Sequence, residues 1–415
     1  MKAVALEDRQ HESLADARKF HRAGLRTVSV REFDALHPHC GAWDRLAWHA
    51  PQRNAYLLSG WFEAAFRHAL AGDEQWFCSF AYSGDELVGV LPAIVSPHPI
   101  LGRKYPILRT FDKHSQSGEV LLAPEHSAVT LQALLMEAAR EEPRHVGLDM
   151  KAVRSNSPLW TAIRGGVPGY FAHRGWRYSY SFLDVQGEYE SYLKTLGNMR
   201  KNLGRYHRKL QSRGQVCFEV KRGSAAQEDF LEEFLALEAS GWKGRNGTAI
   251  ASKSDSTEFY KALVRNLATR GQLEWHTMRV NNHLVAAEMG IRCGAALVLP
   301  KTAYDENYAD CRPGNLLNAA FIGDAFSRSD LIELNDMSDM EWHSQWRMSR
   351  DEYVNLHLVR RGSMPMLFQS PRILLRSAYQ DHIRPRIPAN ARKAWHWVRR
   401  PSRRPNRAAE HCQDK

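Results

Sequence analysis

The alternation of apolar and polar positions along the chain predicts strands and helices in an order that occurs twice. In the first occurrence, apolar runs at 76–82 and 87–94 flank a short polar turn, which is the pattern of a β-hairpin. A strand at 118–122, a helix at 128–140 and a strand at 145–149 follow. This order of strand, turn, strand, strand, helix and strand describes one mixed α+β unit.

The second occurrence follows about 190 residues later and has the same elements, with the turn supplied by Asn281-Asn282. We place its strands and helix at 273–280, 283–291, 295–304, 314–326 and 331–334. Apolar residues at helical spacing predict further helices at 59–69, 191–213, 226–240 and 256–269. The two occurrences share little sequence, so the repeat is inferred from the pattern alone.

A chain of 415 residues exceeds the size at which single hydrophobic cores stop growing, so we predict two domains with flanking segments. The predicted division is a flexible N-terminus at 1–30, a first domain at 31–185, a second domain at 186–365 and a basic, Pro-interrupted tail at 366–415. We predict a short helix within the tail at 391–399.

Positive charge is concentrated at the C-terminus. The chain carries a net charge of +11, of which residues 372–415 contribute +9 and all other residues only +2. A basic tail on a nearly neutral body can contact acidic lipid, RNA or an acidic protein without defining the activity of the rest.

Several classes of protein are excluded by composition. The six cysteines are scattered and form no CxxC pair, and the histidines form no metal-ligand spacing, so neither a disulfide framework nor a metal site is expected. The chain contains no apolar run of about 20 residues and no signal-peptide core. We therefore expect a cytoplasmic protein, with the tail allowing a peripheral position at the inner membrane.

Three motifs together resemble a signature of one branch of the GNAT acyltransferase superfamily. They are the segment 234–250 with Phe259-Tyr260, the segment 301–305 with Tyr308, and Pro313-Gly314-Asn315-Leu316-Leu317. The branch contains CelD/BcsL-type proteins, which are linked to bacterial cellulose and exopolysaccharide production. The resemblance implies an α+β fold of two tandem GNAT-like domains, each a twisted mixed β-sheet flanked by helices. It also implies an acyl-CoA co-substrate, typically acetyl-CoA, and an amino sugar or similar small acceptor.

The segment 339–346 departs from this signature, which leaves the acceptor open. The tandem arrangement is also similar to Fem-type peptidyltransferases, which use aminoacyl-tRNA. Two alternatives therefore stand beside the acyl-CoA hypothesis. One is a Fem-like enzyme, and the other is a non-catalytic adaptor in envelope-polysaccharide assembly.

The helix predicted after the strand 295–304 is the candidate cofactor site. Its start, Pro313-Gly314-Asn315-Leu316, suits a pyrophosphate because a helix N-terminus presents free N–H groups and glycine allows a close approach. Arg312 adds positive charge, and backbone N–H groups from Leu299 to Lys301 are candidates for stabilising the oxyanion. A plain helix start is the structural alternative. The first repeat has Pro124-Glu125 at the corresponding position, so we place the cofactor in the second domain.

Acyl transfer to an amine requires a proton acceptor and a proton donor for the departing thiolate. Glu288, on an apolar strand, is the candidate general base, unless it lies on the solvent side of that strand. Tyr304 and Tyr308 are candidate proton donors, and Asp305 could orient one of them or bind the acceptor. Core or rim positions are the structural alternative for both tyrosines.

Two basic segments are candidates for binding substrate. Trp242, Lys243 and Arg245 follow a predicted helix and could line the acceptor pocket or contact the 3′-phosphate of CoA, or else only cap that helix. The basic stretch 200–213 is either a solvated helix face or a surface that recognises a phosphorylated acceptor.

Overall fold

Thirteen strands form one continuous mixed sheet in the computed structural model, which describes residues 24–226, 229–383 and 386–387. The strands are β1 (Leu25–Val30), β2 (Gln75–Ser83), β3 (Glu86–His98), β4 (Gly102–Arg109), β5 (Leu121–Leu122), β6 (Gly147–Arg154), β7 (Tyr170–Asp184), β8 (Val216–Arg222), β9 (Leu273–Val280), β10 (His283–Cys293), β11 (Ala296–Tyr304), β12 (Glu333–Asn335) and β13 (Ser349–Arg360).

Helices cover both faces of this sheet. They are α1 (Phe33–His49), α2 (Ser59–His68), α3 (Ser127–Glu141), α4 (Pro158–Ile163), α5 (Tyr189–Thr195), α6 (Asn198–Gln211), α7 (Asp229–Ser240), α8 (Trp242–Arg245), α9 (Ser254–Thr269), α10 (Pro313–Phe326) and α11 (Ser370–Ala378). Short 3-10 turns precede α10, at Glu306–Cys311, and β13, at Glu341–Trp346.

The two halves of the sheet have the same topology. Strands β1 to β4 are antiparallel neighbours, and β6 then runs parallel to β4. Strands β8 to β11 repeat this order, and β12 runs parallel to β11. Parallel neighbours require a crossover connection, which contains α3 in the first half and α10 in the second. The predicted α+β class, with two units of mixed sheet flanked by helices, is confirmed.

The halves are joined by an exchange of strands. β7 follows the first half in sequence but pairs with β12 of the second half. β13 follows the second half but pairs with both β6 and β7, from Arg360 opposite Tyr170 to Ser349 opposite Phe182. Each half is therefore completed by a strand from the other side of the predicted 185/186 boundary.

Several local predictions differ from the structure. Residues Leu25–Val30, assigned to a flexible N-terminus, form β1 because Val28 and Val30 pack against the core beside β2. The strand expected at 118–122 is reduced to Leu121–Leu122 and a bridge between Gly118 and Lys151. The tail begins as helix, since Ser370–Ala378 forms α11. The helix expected at 391–399 lies outside the described residues.

The hydrophobic core continues from one half into the other. One cluster of buried residues combines α1 and α2 with α7, α9 and the strands β10 and β11. At its centre the indole of Trp61 meets the ring of Phe259 edge-on, with centroids 5.5 Å apart. Two further clusters lie beneath α3 in the first half and beneath α10 in the second. Because the central cluster is shared, we expect the halves to unfold together.

A buried guanidinium reinforces the junction. Arg154, at the end of β6, donates to Glu333 on β12 and to Asp351 on β13, with Nη1–Oε1 and Nε–Oδ2 distances of 2.9 and 2.7 Å. Arg53 adds a second cation to the Glu333 carboxylate. This network fixes β12, whose end forms part of the site described below.

No helix among the described residues combines the length and apolar character that crossing a membrane requires. Cys40, Cys78, Cys293 and Cys311 are buried free thiols, and Cys217 is an exposed one.

Candidate functional site

A cavity of about 510 Å³ opens where β11 and β12 diverge. The two strands pair only from Ala296 to Val298. Beyond Val298, β11 contains a bulge in which Leu299 and Pro300 together oppose Gly290 of β10. A bulge bends its strand, so the edge of β11 from Leu299 to Tyr304 borders the cavity along its whole length.

The cavity reaches both faces of the sheet. Side chains directly opposite each other in an antiparallel pair lie on the same face, and successive residues alternate. Glu288 therefore shares a face with Thr302, and Lys301 shares the other face with Met289. The first face is covered by α10 and the second by α7. Molecules approaching from opposite faces can meet at the open edge of β11.

Two buried carboxyl groups line the cavity. Glu288 lies on β10, and Asp336 directly follows β12. Burial raises the pKa of Asp336 to about 7, and burial together with repulsion from Asp336 raises the pKa of Glu288 well above its ordinary value. Glu288 Oε2 and Asp336 Oδ2 have no hydrogen-bond partner among the described residues. Both carboxyl groups therefore retain a proton to higher pH than exposed carboxyl groups do.

A histidine faces this pair. The Nδ1 atom of His343 accepts a hydrogen bond of 3.2 Å from the Met340 backbone N–H. Burial lowers the pKa of His343, so the ring is neutral and its proton lies on Nε2. Nε2 is 3.7 Å from Asp336 Oδ2. The ring therefore lies close to Asp336 without forming a hydrogen bond to it.

The start of α10 forms the opposite wall, with Gly314, Asn315 and Asn318 facing the cavity. Arg312 adopts a left-handed backbone with φ of 51°, and its carbonyl accepts from the N–H groups of Asn315 and Leu316. Proline at 313 has no N–H. Within the first turn, the N–H of Gly314 has no backbone acceptor in the described chain, and a Cβ atom at Gly314 would meet nothing within 4 Å.

On the other face, an ion pair fixes the cavity wall. Lys243 Nζ donates to Glu238 Oε1 and to the carbonyl of Thr302 on β11, both at 2.8 Å. Glu238 is 3% exposed and its second oxygen accepts from the Ile250 N–H. The exposed ring of Trp242 also lines the cavity. This face therefore combines fixed charge with an exposed aromatic ring.

Residues 197–334 match the family described as acetyltransferase (GNAT) domain. The chain contains a GNAT acetyltransferase domain. The match spans α6 to β12 and includes β11, α10 and the cavity between them, and it ends two residues before Asp336. No curated protein matches the chain at a significant level.

Solved structures match most of the chain at low sequence identity. The crystal structure of FemX superposes with a TM-score of 0.54 at 11% identity, covering 79% of this chain and 96% of FemX, and this likeness concerns the fold alone. A domain of a putative lysylphosphatidylglycerol synthetase from Agrobacterium fabrum gives 0.49 at 10% identity, covering 81% and 96%. A tandem GNAT protein from the clavulanic acid biosynthesis pathway gives 0.44 at 13% identity, covering 82% and 99%.

The GNAT cavity brings together many of the residues selected from the sequence. The lining includes the following candidates: Glu288 and Tyr304 as catalytic groups, Leu299, Lys301, Gly314 and Asn315 toward the cofactor, and Trp242 and Lys243 toward the acceptor. Leu299 and Lys301 carry the backbone N–H groups beside the bulge, since Pro300 has none. The assignment of roles to these residues stays a prediction.

Other candidates are placed elsewhere by the structure. Asp305 is bonded to His283 Nε2 at 2.9 Å and caps the 3-10 turn after β11, while the ring of Tyr308 stacks on His283. Arg245 pairs with Glu306 at the cavity rim. Three cofactor candidates at the start of α10 do not line the cavity. Pro313 and Leu316 are buried, and Arg312, which precedes the helix, is exposed to solvent.

Sequence reasoning did not select Asp336, Asn318 or His343. Asp336 follows a predicted strand. Asn318 lies one turn beyond Gly314, so helix phasing places Asn318 and Gly314 on the same face of the helix. Those two signals were available. Tyr56 and Gln116 come from the first half, and no local pattern could have indicated that they also line the cavity. The described residues contain no group of three or more His, Cys, Asp or Glu that could hold a metal ion.

Proposed function

We propose that the protein transfers an acyl group, typically acetyl, from CoA to an amine or hydroxyl on a small acceptor. The observation that carries the proposal is the cavity at the divergence of β11 and β12, which opens to both faces of the sheet. The acyl-CoA approaches on the face covered by α10, and the acceptor approaches on the face covered by α7. The two reactants meet at the edge of β11.

The donor face has the features required by a CoA diphosphate. Gly314, at the positive end of α10, lines the cavity, and the amide side chains of Asn315 and Asn318 add donors. Tyr304 lies on the same face as Glu288, at the rim, where its hydroxyl can protonate the departing thiolate. Backbone N–H groups of Leu299 or Lys301 stabilise the oxyanion.

The carboxyl pair supplies the proton acceptor. A general base is most effective when its pKa lies near the working pH. Asp336, with a pKa of about 7, meets this condition. Repulsion between the two carboxylates disfavours the state in which both are ionised. The role first assigned to Glu288 alone therefore belongs to the pair.

The cofactor part of the proposal can be tested at Gly314. Its backbone has no positive φ and its Cβ position is open, so both Gly314→Glu and Gly314→Gln fit without strain. Acetyl-CoA should raise the melting temperature of the parent protein and of Gly314→Gln. Gly314→Glu should lose the shift because it places a negative charge where the diphosphate binds. If acetyl-CoA and longer acyl-CoAs produce no shift in the parent protein, the cofactor proposal is wrong.

The acceptor class is supported by resemblance alone. The motifs shared with CelD/BcsL-type proteins favour an amino sugar and a role in cellulose or exopolysaccharide synthesis. The cavity lining includes the rings of Trp242 and Trp342, and sugars pack against such rings. Acetylation assays with glucosamine and its derivatives, read by release of free CoA, test this class directly.

A Fem-like transfer of an aminoacyl group from tRNA is the second candidate. Lys201, Arg205 and Arg208 form an exposed cationic face on α6 and make no ion pair within the described part of the chain. Filter binding with charged tRNA at 50 and 200 mM salt tests it, because phosphate contacts weaken steeply with salt. Tight, salt-sensitive binding without a response to acyl-CoA would favour this candidate.

For cellular location we propose a cytoplasmic protein with peripheral attachment to the inner membrane. Apolar side chains are exposed along the C-terminal helical segment, among them Leu367, Leu374, Leu375, Tyr379 and Ile383. The segment leads into the basic tail, whose charge favours an anionic lipid surface. This arrangement supports acidic lipid over RNA or an acidic protein as the partner of the tail.

A further inference from the structure

A second cavity, of about 300 Å³, adjoins the first on the face covered by α7. It lies between the loop after β4 in the first half and the segment from Gly247 to α9 in the second half. Lys301 lines both cavities, so the two spaces meet at its side chain. A ligand placed in the second cavity therefore reaches toward the edge of β11, where the acyl transfer is proposed.

The ammonium group of Lys301 lacks an anionic partner. It lies 5.3 Å from the centroid of the Tyr260 ring and makes no ion pair with any described residue. Burial lowers the pKa of Lys301, and Glu238, the carboxylate whose charge acts on it, is already bonded to Lys243 and to the Ile250 N–H. A cation so placed is costly unless a ligand supplies the missing charge.

The other polar groups of the second cavity also favour an anion. Lys253 lines it without an ion pair to a described residue, and Lys113 pairs with the single carboxylate of the lining, Asp255. Three lysines against one aspartate leave an excess of two positive charges. His114, held neutral because burial lowers its pKa to about 4, has an Nε2 atom without a partner in the described chain.

We propose that this second cavity binds a phosphate group carried by the acceptor, so that the enzyme acylates a phosphorylated small molecule. The proposal rests on the acyltransferase function argued above and specifies its substrate. The diphosphate of CoA is assigned to the α10 face, and the lysines lie on the opposite face. The phosphate bound by these lysines therefore belongs to the acceptor and not to the cofactor.

Calorimetric titration of the full-length protein with inorganic pyrophosphate, at constant ionic strength and with saturating CoA present to occupy the α10 site, tests the second cavity without any acyl donor. Lys301→Met and Lys253→Met each remove one charge from the cavity, and Lys261→Met on α9 is the matched control because Lys261 faces solvent and pairs with Glu258. We expect binding to the parent and the control, with Kd raised about tenfold or more in each cavity variant, as expected for loss of a hydrogen bond to a charged group. Because Lys253 is exposed, Lys253→Met should fold and still tests the anion site if Lys301→Met fails to fold.

The assignment to the acceptor is tested by competition. Saturating acetyl-CoA should leave the Kd for pyrophosphate unchanged within twofold. The proposal is overturned if pyrophosphate does not bind, if the control variant weakens binding as much as the cavity variants, or if acetyl-CoA displaces the anion. If pyrophosphate binds but acyl-CoA does not raise the melting temperature, the anion site stands and the transferase function is wrong. Failure of this proposal can therefore be distinguished from failure of the proposed function.

Discussion

Replacing Asp336 by asparagine should stabilise the protein and impair its activity at the same time. The side chain is fully enclosed, and burial raises its pKa from 3.8 to about 7. At pH values below 3.8 the carboxyl is protonated in both the folded and the unfolded chain. Between pH 4 and 7 the unfolded chain releases the proton while the folded protein retains it, so folding becomes less favourable as the pH rises.

The size of this effect follows from the shift. Each pKa unit corresponds to about 1.4 kcal/mol of differential interaction, so a displacement of roughly 3 units costs roughly 4 kcal/mol of unfolding free energy above pH 7. Asparagine has nearly the same shape and no charge, so Asp336→Asn should recover much of this free energy at pH 8. At pH 4, where little of the cost has developed, we expect almost no difference.

Urea unfolding at pH 4, 6 and 8 measures this dependence, and Asp85→Asn, in the exposed turn between β2 and β3, is the matched control. In activity assays, the parent kcat/KM should rise with pH through about 7 as Asp336 ionises, and Asp336→Asn should lose this rise together with at least a hundredfold of rate. A stability difference that is the same at all three pH values would refute the assignment of the raised pKa. Full activity in the variant would refute the role as base.

Three other substitutions test separate parts of the structure. Tyr304→Phe should lower kcat by about tenfold to a hundredfold with little change in KM, because it removes a general acid. Tyr308→Phe, outside the cavity, should leave kcat unchanged, and steady-state kinetics of the two variants measures the difference. Arg154→Met should reduce the free energy of unfolding by about 3 kcal/mol, because it leaves buried carboxylates unpaired, and urea denaturation measures this. Leu374→Glu with Leu375→Glu should abolish cosedimentation with phosphatidylglycerol vesicles; unchanged sedimentation would exclude these side chains from membrane contact.

Local sequence patterns predicted the elements whose character is decided locally. The hairpin of β9 and β10 is an example, because Asn281 and Asn282 both adopt positive φ, at 48° and 68°, and asparagine tolerates that conformation in a two-residue turn. The helix α10 begins at Pro313, one residue before the predicted start at Gly314, since proline is suited to a first helical turn. In both cases the residues that specify the structure are contiguous in sequence.

The exchange of β7 and β13 could not be predicted in this way. Both strands are long, but which strand pairs with which depends on contacts between residues far apart in sequence, such as Tyr353 with Tyr178. The predicted boundary at 185/186 follows the chain, whereas the sheet is completed across it. Periodicity identifies the face that a strand buries and carries no information on its neighbour.

The same distinction explains which parts of the site were found. Glu288 could be selected because a carboxylate between apolar neighbours on one strand is unusual, and Gly314 because it opens a helix after a strand. Asp336 acquires its role from the position of its strand end, and that position depends on β7 and on the Arg154 network around β12. The proton acceptor is therefore a product of the junction between the halves. A substitution at that junction should change the pH profile of catalysis even though it touches neither reactant.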